Sequence, residues 1–200
     1  MDTEQQPQLD RQRVITDIHQ RDREAFKDWV SKSNPFQVLP SNVEAARYLI
    51  PPRIWDAVGN PERVSLVMTH EEPETIEFFV VEHMDQPLTN IDSMKNFEEV
   101  TARLRCQVAS GRASYPPLPA DVDYFHWNAM DEVLDGKIQV TDKIYHTAYL
   151  KAMGDELNVV AYSDREELRG KGVATSFYQR LREVAKALGF KYIAGQNGKE

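Results

Sequence analysis

Apolar and polar positions alternate along this chain with two periods, and each change of period marks an element. From Asp10 to Ser31, the residues Val14, Ile15, Ile18, Ala25, Trp29 and Val30 fall at helical spacing opposite a charged face, which predicts a first helix. Residues 1 to 9, rich in Gln, Glu and Pro, are expected to form a disordered tail. Ser41 and Glu44 read as a capping box for a second helix, which Pro51 and Pro52 stop. Two β-branched runs, Arg63 to Thr69 and Thr75 to Val81, predict a hairpin. Met94, Phe97, Val100, Leu104 and Val108 mark another helical face that gives way at Ser110 and Gly111. The stiff stretch Tyr115, Pro116, Pro117, Leu118, Pro119 follows, either an internal boundary or a long loop. Phe125 to Leu134 predicts a short helix, and Lys137 to Val140, Ile144 to Leu150 and Leu157 to Tyr162 predict three strands.

Helical period returns in Val173, Ala174, Phe177, Leu181, Val184, Ala185 and Leu188, closed by Gly189 where a helix end favours a left-handed residue. Phe190 to Ala194 is a short apolar strand, so Leu157 to Ala194 forms a βαβ unit. Its loop places Gly170 and Gly172 in front of the helix, where the first amides lack intrahelical acceptors and an anion can approach.

Composition narrows the partners. The chain has 200 residues, 41% of them hydrophobic, enough for one large domain or a domain with an appended module. Lys and Arg total 24 against 32 Asp and Glu, a net charge of -8, which argues against nucleic acid as a partner. A single cysteine, Cys106, cannot close an intrachain disulfide or build a thiolate metal cage, and the histidines show no metal-ligand spacing. With a polar amino terminus and no long apolar run, a cytoplasmic protein without membrane contact is expected, and no metal site.

Spacing then sorts the phosphate ligands. A Walker A loop requires G-x-x-x-x-G-K-[ST], but Lys171 precedes Gly172 and the upstream glycine is lacking. A dinucleotide fingerprint requires a third glycine where Thr175 stands, and no acidic residue follows the second strand. The pattern that is met, by Arg169, Gly170, Lys171, Gly172, Val173 and Ala174, is [QR]-x-x-G-x-[GA]. It resembles the acyl-CoA loop of the GCN5-related N-acetyltransferase family, over about Asp155 to Asn197.

The resemblance implies a mixed sheet with a V-shaped splay between the strands that flank the helix, the pantetheine arm lying in the gap. It implies loop amides on the pyrophosphate, backbone groups of Val160, Ala161, Tyr162, Ser163 and Asp164 on the pantetheine, and Asn197 near the thioester. It also implies Glu156 as general base, and strand alternation would put Glu156, Asn158, Val160 and Tyr162 on one face. Glu156 reads equally as a solvated turn carboxylate, and His146 is the alternative base. Arg165, Arg169, Lys171, Arg180, Arg182, Lys186 and Lys191 form either a solvated face or a positive field for phosphates. Asp164 and Glu166 stand where the family often has apolar residues or proline, and its final helix and strands would lie beyond Glu200.

The expectation is therefore an α/β protein. A largely helical and hairpin region over 10–120 would precede a core over 121–200 resembling that family, with a second copy of the chain able to complete its sheet edge. The resemblance implies acetyl transfer from acetyl-CoA to a small-molecule or peptide amine. The alternative is a shortened, non-catalytic CoA-binding or interaction module.

Overall fold

The computed structural model describes residues 5–33, 39–69, 72–84, 99, 102 and 124–195. Its elements are helices α1 (Gln5–Lys32), α2 (Val43–Ala46) and α3 (Ile54–Ala57), strands β1 (Val64–Thr69) and β2 (Thr75–Glu82), and helices α4 (Tyr124–Asn128) and α5 (Met130–Leu134). Strands β3 (Lys143–Met153) and β4 (Glu156–Asp164), helix α6 (Val173–Leu188) and strand β5 (Tyr192–Gly195) complete the sequence of elements. The five strands form one mixed sheet in the order β1-β2-β3-β4-β5, in which β1 with β2 and β3 with β4 are antiparallel and β4 with β5 is parallel.

The chain divides into two compact units, 1–82 with 145–200, and 83–144. The boundary expected at 120 falls inside the second range, and the N-terminal helix shares a unit with the βαβ element. In the first unit, Ile15, Ile18 and Phe26 of α1 join one core with Phe78 and Val80 of β2, Leu150 of β3, Leu157 of β4, and Phe177 and Leu181 of α6. Glu82 is buried at the end of β2, where it accepts hydrogen bonds from the amides of Gly59 (3.0 Å) and Asn60 (2.5 Å) and from the Tyr145 hydroxyl (2.6 Å). A carboxylate with that many donors ties the loop before β1 to the sheet, because a buried charge is tolerated only when it is hydrogen-bonded. In the second unit the buried Asp142 carboxylate accepts from the amides of Gln139 and Met84 and bonds His83 Nδ1 at 2.9 Å.

Several elements differ from the pattern. Residues 5–9, assigned to a tail by composition, belong to α1. The cap of α2 is Asn42, whose side chain accepts from the Ala45 amide at 2.8 Å, and Ser41 is exposed. Lys137 to Val140 is turn rather than strand, since the Lys137 and Ile138 amides fold back onto the Glu132 carbonyl at 2.9 and 3.2 Å. The last strand opens at Tyr192, because the Phe190 amide completes the helix end on the Ala185 carbonyl. Gly189 there has φ +81°, the left-handed conformation expected of it. The helix expected over Met94 to Val108 and the proline stretch lie outside the described residues. Among the described residues, no helix is long and apolar enough to cross a membrane, and no three His, Cys, Asp or Glu side chains cluster as for a metal ion.

Candidate functional site

The site is set by an irregularity in β4. Across β3 and β4 the register pairs Ala152 with Leu157 and Leu150 with Val159, then Tyr149 with Ala161, Ala148 with Tyr162 and His146 with Asp164. Val160 is thus an extra residue, a bulge, and a bulge reverses which face the following side chains take. Ala152, Leu150, Ala148 and His146 alternate along one face of β3, so their partners Leu157, Val159, Tyr162 and Asp164 share it, on the side of α6. The single face expected for Glu156, Asn158, Val160 and Tyr162 is therefore corrected. Glu156 and Asn158 lie on the opposite face from Tyr162, and Val160 is the bulged residue. The parallel ladder with β5 runs from Glu156 opposite Tyr192 to Val159 opposite Gly195, the last described residue.

Beyond the bulge a short turn, Glu166–Leu168, anchors on the buried Leu168 and leads into the glycine loop. Gly170 and Gly172 have φ values of +73° and +75°, and a Cβ on either would meet nothing within 4 Å. They are needed for backbone conformation and not for want of space. The Lys171 amide is taken by the Leu168 carbonyl at 3.2 Å, and the Ser176 amide by the Gly172 carbonyl at 3.0 Å. The amides of Gly170, Gly172, Val173, Ala174 and Thr175 donate to no protein group among the described residues, and α6 has no side-chain cap. Its 16 residues direct a partial positive charge to the same end.

These amides border a cleft of about 670 Å³. Of the residues singled out in the sequence, Tyr162, Ser163, Asp164, Arg169, Gly170, Gly172, Val173 and Ala174 line it, joined by Leu168 and Thr175. Val160, Ala161 and Lys171 are outside the lining, as are Glu156 and His146. Asn197 lies outside the described residues. Glu156 opens β4, opposite Met153 and Tyr192, and a strand of nine residues sets it roughly 25 Å from Asp164.

The cleft wall carries a polar chain. Asp164 Oδ1 bonds His146 Nδ1 at 2.7 Å, and Asp164 Oδ2 accepts from the Tyr162 hydroxyl. His146 is fully buried, its Nε2 has no hydrogen-bond partner among the described residues, and the rings of Phe78, Tyr162 and Phe177 stand 5.6, 5.1 and 4.9 Å from its own. Tyr178 of α6 leans on the Tyr162 ring and lays its hydroxyl over Gly195, where a Cβ would stand 3.2 Å away.

The basic residues divide. Arg169 sits at the rim beside Glu166 (3.8 Å), and Lys191 pairs with Asp155 at 2.6 Å. Hydrogen bonding to Asp155 holds the Lys191 ammonium above its ordinary range. Arg180 is buried over the Tyr48 ring, 3.9 Å from its centre, and contributes neither to a solvated face nor to the cleft lining. Comparison of the chain with known protein families, with curated proteins and with solved structures finds no match in any of the three.

Proposed function

We propose that the protein is an N-acyltransferase that carries an acetyl group from acetyl-CoA to a primary amine of a small molecule or peptide. The observation that carries this reading is that the amides of Gly170, Gly172, Val173, Ala174 and Thr175 donate to no protein group among the described residues, beside a cleft at the end of a bulged strand. Oriented N–H groups at a helix start are suited to a diphosphate, and glycine keeps side chains away from it.

An arm running from the loop back along β4 ends near Glu156. There an amine nitrogen attacks the thioester carbonyl, the C–N bond forms, the C–S bond breaks, and the CoA thiolate leaves and takes up the proton that the new amide nitrogen sheds. Glu156 takes the proton that the ammonium must lose before attack. A cytoplasmic setting suits the single Cys106, and the edge of β5 is where a second copy could add a strand.

The test is release of free thiol from acetyl-CoA against a panel of polyamines, aminoglycosides and lysine peptides. The wild type should turn over at least one amine, and Glu156→Gln should lower the rate about a hundredfold or more. CoA binding with no thiol release from any amine would favour the non-catalytic module.

A further inference from the structure

We propose that the seat of α1 against Trp55 is an acid-sensitive latch: His19 takes up a proton as the medium is acidified, and the added charge releases the helix from the core. The latch is independent of what occupies the cleft.

Trp55 of α3 is buried, and the His19 ring of α1 meets it edge-on, with ring centres 6.2 Å apart and planes at 83°. A few turns further along α1, the Phe26 ring stacks on Tyr48 of the helical turn Arg47–Leu49, 4.7 Å between centres. The Arg180 guanidinium of α6 lies over that same Tyr48 ring, 3.9 Å from its centre. Two guanidiniums therefore sit inside the packing of α1. Arg47, 5.7 Å from the centre of the Trp55 ring, is matched by the buried Asp22 of α1 at 2.9 Å. Arg180 is matched poorly. Its side chain is 8% exposed, its Nε and Nη1 have no hydrogen-bond partner among the described residues, and the Glu183 carboxylate, 3.9 Å away and half exposed, already accepts from the Tyr48 hydroxyl. A buried cation without a close counter-charge leaves a positive potential that water does not screen. Neutral imidazole packs in that surrounding, and imidazolium is repelled by it.

The charged groups facing His19 do not cancel. Arg180 of α6 and Arg23 of α1 oppose a proton there, while Asp22 of α1 and Asp56 of α3 favour one. Both carboxylates are already engaged, Asp22 with Arg47 and Asp56 with Arg53 at 3.3 Å. The same surroundings hold Tyr48 and Glu183, bonded to each other, and Arg11 of α1, which donates to the Trp55 carbonyl at 2.9 Å. Burial first, then the Arg180 charge, holds the His19 imidazole below its ordinary value of 6.5. Once the helix lifts away the imidazole regains that value, so the open state binds more protons. Docking of α1 therefore has its full strength above pH 6.5 and weakens as pH falls below it.

Amide hydrogen exchange of the full chain, each rate divided by that of the free amide at the same pH, reads the latch. Between about pH 7.5 and about pH 5, the amides from Ile15 to Phe26 should lose at least about fivefold of their protection in wild type and less than about twofold in His19→Gln. The amides of β2 should lose less than those of α1, because the helix lifts while the sheet holds. Proton NMR of the His19 ring supplies a reading that needs no variant: it should titrate below 6.5 in the wild-type chain. Arg180→Met, which replaces an underpaired buried cation by an apolar chain, should move that titration upward and reduce the acid loss of protection. Equal losses in wild type and His19→Gln, a loss shared equally by α1 and β2, or a His19 ring that titrates at or above 6.5 would each overturn the latch.

Discussion

Gly172 shows how much one residue decides. Its φ of +75° is open to glycine and, at lower cost, to asparagine, and is a true outlier for a β-branched side chain. Because a Cβ there meets nothing, conformation alone separates the two substitutions. Gly172→Val should weaken CoA binding at least about tenfold with the core intact, whereas Gly172→Asn should lose less than about threefold, as calorimetry would report. Spacing made this residue visible from the sequence, since the six-residue pattern fixes where the glycines fall. Asp164 was visible as an expected backbone contact and as an awkward residue in that pattern, but its side-chain pairing was not, because its partner His146 lies across a strand pair whose register the sequence does not reveal. Thr175 and Leu168 carried no motif signal; they line the cleft as the third helical residue and the turn anchor. Two phenols carry a pH signature. Burial first, then the hydrogen bond to Glu82, raises Tyr145 above its ordinary value of 10.0, and burial followed by the bond to Glu183 does the same for Tyr48. A phenol that holds its proton more tightly when folded contributes its full stability below pH 10 and loses it as pH rises above that value. The urea midpoint should accordingly fall on the alkaline side of pH 10, and Tyr145→Phe should reduce the slope.

At the scale of elements, periodicity identified α1 and α6, each of which buries one face, and apolar runs identified the β1–β2 hairpin and the parallel strand after α6. It failed where the backbone breaks period. Alternation counted through β4 put Glu156 and Tyr162 together, and the extra residue Val160 separates them. Nothing local marks that residue, since valine is an ordinary strand former and the bulge exists only against β3. Lys137 to Val140 misled for a related reason: its apolar residues are buried in a turn whose hydrogen bonds run back to α5. Deleting Val160 tests the bulge as a device. The shortened β4 restores continuous alternation, turns Tyr162 and Asp164 toward the other face or forces the register to slip, and should abolish CoA binding. A deletion variant that binds CoA like wild type would show that the bulge does not orient the cleft wall.

Across the whole molecule, composition constrained little beyond a mixed α/β chain, and it gave no sign that 1–82 and 145–200 form one compact unit. Contacts between α1 and the segments far along the chain tie the first and last thirds into one unit, and such long-range closure leaves no trace in a sliding window. The functional account is narrower than the fold. It requires one cleft, five undonated amides and a ligand bearing phosphates. The most direct measurement is a calorimetric titration of the wild-type chain with CoA, followed by displacement with inorganic pyrophosphate. Saturable binding at one site, competed by pyrophosphate, is the predicted result; the absence of saturable heat for CoA, or CoA binding that pyrophosphate leaves untouched, would contradict it.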